Sequence, residues 1–107
     1  LRVEATFGAL AEGPPGYAHG GSVAAVLDEA LGVAAWLAHR PAVAARLEVD
    51  FRHPVPLGAT AWAEPTFDAL DARKARVRAA LVGAEGTVYA EATGVFVFLD
   101  AGRHAER

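Results

Sequence analysis

The segment Gly13-Pro-Pro-Gly-Tyr-Ala-His-Gly-Gly21 runs straight into an apolar stretch at 22–38 that carries Asp28 in its middle. A helix opening at this point leaves its first N–H groups without intrahelical partners, and a glycine pair lets an oxygen approach them closely. Such amides, with the positive end of the helix dipole, stabilise a developing oxyanion. A carboxylate two turns further on could activate water. Together Gly20, Gly21 and Asp28 point to hydrolysis of an activated acyl group.

The other candidates are weighed against plainer roles. At 100° per residue Asp28 shares its stripe with Gly21, Ala24, Gly32 and Ala35, small neighbours that let another backbone or a ligand come close. An unpaired buried carboxylate is destabilising, so Asp28 must meet a partner or line a cavity. Glu29 takes its place if the helix phase differs. His19 fits structural hydrogen bonding and direct catalysis equally well. Arg52 and His53 flank a strand end where they could meet phosphates, although an exposed Arg commonly only solvates a face, as Arg73, Lys74, Arg76 and Arg78 do. Trp36 reads as core or interface packing, and His39 and His104 as bystanders.

The elements around these residues follow from pattern. Residues 1–7 make a short strand ended by Gly8, and two prolines between Gly13 and Gly16 make a rigid loop that delivers Tyr17 to Gly21 to a fixed place. The stretch at 22–38 is rich in helix formers, with Ser22 placed to cap, and is apolar on nearly every face. A helix of that kind is covered all round, by a sheet or by another subunit. Pro41 stops it. From Arg46 the period becomes two, with Leu47, Val49 and Phe51 on one face and Arg46, Glu48, Asp50 and Arg52 on the other. A turn at 53–58 leads to a strand at 59–67 with an edge or bulge at Pro65, and 68–72 connects it to a third strand at 73–82. A hairpin turn at 83–86 enters a last strand at 87–99, bent at Gly94, before a polar, frayed tail at 100–107. One long helix followed by four strands in an antiparallel meander predicts an α+β fold, a curved sheet wrapped round a central helix, as a single domain over 1–107.

Composition narrows the function. With 107 residues, 53% of them hydrophobic, the chain is richer in apolar residues than a small isolated domain requires, which predicts a subunit interface. The net charge is −3 and the basic residues, all but one of them Arg, are scattered, so nucleic-acid binding is unsupported. Cysteine is absent, which removes disulfides, thiolate nucleophiles and Cys-type zinc sites and fits a reducing cytoplasm. No segment reads as membrane-spanning, because Asp28 and Glu29 interrupt the apolar run, and no secretory signal opens the chain.

His19-Gly-Gly21 with Asp28 nine residues after the histidine, followed by Leu47-Glu-Val-Asp-Phe-Arg-His-Pro-Val-Pro-Leu-Gly58, resembles the hotdog-fold acyl-CoA thioesterases. The branch it looks most like holds the phenylacetic-acid-pathway (PaaI-like) and thioesterase-superfamily-member proteins. The resemblance covers nearly the whole chain. It implies a hotdog fold, hydrolysis of an acyl-CoA thioester without metal or other cofactor, and a homodimer or dimer of dimers with the active site at the subunit interface. By resemblance the Gly20 N–H polarises the thioester carbonyl, and Asp28, from the other subunit, is general base or nucleophile. His19 matches the family histidine, which orients the loop or touches substrate. The candidate substrate-binding residues are Gly21, Tyr17, Ala44, Arg52 and His53. Many relatives hold the water with a Ser or Thr near the start of the strand after the helix, and here Ala44 stands in its place. That departure keeps open an alternative, a hotdog module that binds acyl-CoA without turning it over. Hotdog hydratases are a weaker match, since their Asp-x-Asn-x-x-His-like stretch is missing.

Overall fold

A computed structural model of the chain describes residues 2–38 and 41–99. One helix, α1 (Gly20–Ala38), lies across an antiparallel sheet of six strands: β1 (Val3–Thr6), β2 (Ala42–Phe51), β3 (Thr60–Ala63), β4 (Thr66–Leu70), β5 (Lys74–Gly83) and β6 (Val88–Phe98). The strand order is β1-β3-β5-β6-β2, and β4 pairs with β5 beside β3. This is the helix wrapped by a curved sheet that the α+β hotdog expectation describes.

The meander is only partly right. β2 does not pair with β3; it lies against β6 at the far edge of the sheet. Its connection to β3 instead closes against the proline loop, where the Ala18 N–H donates to the Val55 carbonyl and the Leu57 N–H to the Gly16 carbonyl. Val55 is buried there. β2 also begins at Ala42, earlier than the charge alternation suggests, because a bulge between Ala44 and Arg46 resets its register. The expected strand at 59–67 divides at Glu64-Pro65 into β3 and β4, both paired with β5, since proline cannot donate to the ladder. Residues 68–70, expected as a connection, are still strand.

α1 buries Val23, Leu27, Ala30, Leu31, Ala34 and Ala35 against β2, β5 and β6. Leu27 and Leu31 are fully covered, each stabilising the fold by about 1.5–3 kcal/mol. The sheet covers only that side, so the expectation of a helix enclosed all round holds for one face. Ala25, Asp28, Glu29, Val33 and Trp36 look away from the sheet and are exposed. Trp36 donates its indole N–H to the Ala42 carbonyl at 3.0 Å and remains 54% exposed.

At Gly94 the register of β6 runs unbroken to Leu47 on one side and Val77 on the other, and a Cβ there would meet Phe96 Cε1 at 2.7 Å and Leu31 Cδ1 at 3.2 Å. The glycine makes room for α1 to lie close. Among the described residues no helix is long and apolar enough to cross a membrane. His39, His104 and the tail at 100–107 fall outside the described residues.

Candidate active site

The helix begins two residues before the expected cap, and the reason is His19. Its Nδ1 accepts the Ser22 N–H at 3.0 Å, an N-cap bond to the third residue of α1. Ser22 is therefore capped rather than capping, and its hydroxyl donates back to the His19 carbonyl at 2.8 Å. A ring nitrogen that accepts a bond carries no proton, so Nδ1 is committed and the proton of the neutral ring sits on Nε2.

The loop before the helix is a small closed unit. The Gly13 N–H donates to the Tyr17 carbonyl, the Tyr17 N–H to the Pro14 carbonyl, and the His19 N–H to the Ala11 carbonyl at 2.7 Å. Glu12 Oε2 takes the Gly16 N–H at 2.8 Å, and Gly16 adopts a left-handed φ of 85° that the turn requires. With the cap satisfying Ser22, the Gly20 and Gly21 N–H groups at the tip of α1 have no acceptor among the described residues.

Gly20 borders an open, mainly apolar groove of about 350 Å3 whose walls include Val23, Phe51, Pro54 and Val55, with Arg52 and His53 at the rim. Phe51 is 58% exposed, and its ring lies 3.4 Å from where a Gly20 Cβ would stand. His53 donates from Nδ1 to the Val88 carbonyl at 3.1 Å, with Nε2 unpaired among the described residues. Arg52 forms an exposed ion pair with Glu91 at 2.9 Å.

The structure thus gathers Gly20, Arg52 and His53 round one groove and leaves the other candidates outside its walls. Tyr17 closes the loop through its backbone, bridging to Pro56. Gly21 packs against the His19 ring. Ala44 pairs with Phe96 in β2, on the helix side of the sheet and exposed at its edge. Asp28 is exposed on α1. Eight residues of helix separate it from Gly20, about 12 Å along the axis. Among the described residues no group of three metal-ligating side chains gathers. Sequence reasoning missed Phe51 and Val55 as groove walls. Phe51 read only as one of a core-facing alternation, and no local signal brings the 52–58 turn to the helix start.

Comparison with known proteins supplies the context. A family model described as the thioesterase superfamily matches residues 15–90. Human acyl-coenzyme A thioesterase THEM5 is 34% identical over 93 residues, 86% of this chain and 38% of that protein. The chain therefore spans about two fifths of that relative's length. The crystal structure of the TT0310 protein from Thermus thermophilus superposes with a TM-score of 0.85 at 32% identity, covering 92% of this chain and 82% of the other. Streptococcus mutans smu.793, solved bound to acetyl CoA, shares the fold at a TM-score of 0.86 and 18% identity, over 91% of this chain and 78% of its own.

Proposed function

This chain belongs to the thioesterase superfamily, and from that premise we propose that it hydrolyses acyl-CoA thioesters to a free acid and CoA. The observation that carries the reading is the pair of amides at the start of α1 with no acceptor among the described residues, opening on an apolar groove that Arg52 and His53 border. The groove suits an acyl chain and the rim suits CoA phosphates. The acyl-CoA thioesterase name of the human relative supports the same substrate class.

In this mechanism the thioester carbonyl oxygen points at the Gly20 N–H. The Asp28 carboxylate of a second copy removes a proton from water as the water oxygen bonds to the carbonyl carbon. The tetrahedral oxyanion is held by the amide and the helix dipole. Its collapse breaks the C–S bond and releases CoA thiolate, which takes up a proton. Direct attack by Asp28 on the carbonyl, with hydrolysis of the resulting anhydride, uses the same geometry. A second chain supplies the carboxylate in this reading, which the rise of about 12 Å along α1 between the two residues of one chain supports.

A homodimer supplies the second carboxylate. β2 is a ten-residue edge strand exposing Val43, Leu47 and Phe51, and the open face of α1 adds Val33 and Trp36. A long apolar edge of this kind is a template for pairing with another copy.

Ala44 favours a second reading, an acyl-CoA-binding module without turnover, because its methyl group cannot hold the attacking water. A panel of acyl-CoAs of varied chain length, followed by release of free thiol, separates the two. Thiol release above the buffer rate supports the enzyme; thermal stabilisation by acyl-CoA with no thiol released overturns it in favour of the module.

A further inference from the structure

We propose that Gly13 and Gly21 are positioning residues that act through His19, holding the cap that presents the Gly20 amide. The inference rests on the reading of Gly20 as oxyanion donor. Neither glycine has a positive φ, so backbone conformation does not require glycine at either place. Space does. A Cβ on Gly13 would stand 2.6 Å from His19 Cβ and 2.8 Å from its Cα, and a Cβ on Gly21 would stand 3.1 Å from His19 Nδ1 and 3.2 Å from its Cε1.

The histidine is therefore clasped from two sides, at its root by the loop and at its ring by the helix. The clasp leaves Nδ1 3.0 Å from the Ser22 N–H, which the His19 carbonyl also accepts at 3.1 Å. The first two amides of the helix have no acceptor among the described residues and stay open to a ligand. Gly21 is accordingly assigned to the cap through its missing side chain, and His19 to positioning through Nδ1. Displacing the root of His19 shifts the Gly20 N–H relative to the groove, a geometry to which oxyanion stabilisation is steep.

The test uses G13A, G21A, H19N and the H19N/G21A double variant. Hydrogen exchange of the Ser22 amide and the ring ¹⁵N shifts of His19 are read alongside kcat and KM on an acyl-CoA that the unchanged protein hydrolyses. In that unchanged protein the expected result is an unprotonated Nδ1 and a protected Ser22 amide. G13A moves the His19 Nδ1 resonance off its hydrogen-bonded value and loses about tenfold to a hundredfold in kcat, while KM moves less than about threefold. Asn is a good N-cap without a ring to collide with, so G21A lowers kcat about tenfold alone and less than about twofold when added to H19N.

An unchanged His19 Nδ1 resonance in both glycine variants, or the same loss from G21A with and without H19N, overturns the proposal. Should G13A fail to fold, G21A carries the test, its clash being milder. If the unchanged protein releases no thiol from any acyl-CoA, the thioesterase reading falls, while Ser22 exchange and the His19 shifts still decide whether the glycines hold the cap.

Discussion

Asp28 and His19 illustrate how differently two ionisable side chains of one motif are used. Asp28 is exposed on the face of α1 that the sheet leaves open. If it activates water for a neighbouring copy, Asp28→Asn keeps the side chain's shape close to the original yet removes the base. The expected outcome is a fall in kcat of about 10²–10⁴-fold with unchanged sedimentation and circular dichroism, and near-normal turnover would remove Asp28 from the mechanism. His19 acts locally through one bond to the Ser22 amide. Replacing it by Ala is expected to lower stability by about 1 kcal/mol in urea unfolding, the usual value of a lost N-cap, and replacement by Asn to restore most of it. The glycine pair, Asp28 and the histidine were all legible as a motif. The capping role was not, because it depends on a ring rotamer fixed by two glycines at positions 13 and 21, neither of them adjacent to the histidine in sequence.

The elements hold the motif by close approach rather than by bulk. α1 can lie on the sheet because Gly94 leaves space for Leu31 and Phe96. Gly94→Ala is expected to destabilise the fold by about 1–3 kcal/mol through overpacking, read as a lower urea midpoint with little change in slope. The β4–β5 turn has its own device: Asp71 accepts the Arg73 N–H at 2.7 Å and the Lys74 N–H at 2.9 Å. These backbone bonds, the Arg73 one foremost, hold the Asp71 carboxyl below its ordinary range. A depressed carboxylate contributes stability above its unfolded pKa and loses it as pH falls through the folded value. Asp71→Asn is therefore expected to flatten the acid limb of the stability curve below the ordinary carboxylate range and leave its shape at neutral pH unchanged. Strand periodicity was readable wherever one face is buried. It misjudged the start of β2 and the split at Pro65, because a bulge and an edge break alternation without breaking the sheet.

For the whole molecule, the edge of β2 and the face of α1 that the described residues leave uncovered are the surfaces that a second copy would cover in lending Asp28. Leu47→Lys places a charge on that edge and is expected to convert the protein to monomers in sedimentation velocity and to abolish thiol release together. Retained turnover by a monomer would remove the shared site. The sequence by itself determined the helix, the alternating strands, the glycine pair and the acid, because helix and strand periods and helix-start chemistry are local and written in neighbouring residues. Only the tertiary structure decided that β2 lies beside β6, that the 52–58 turn walls the groove at Gly20, and that His19 caps the helix. Those relations join residues far apart in the chain, or rest on tenths of an ångström of clearance, and neither leaves a periodic trace.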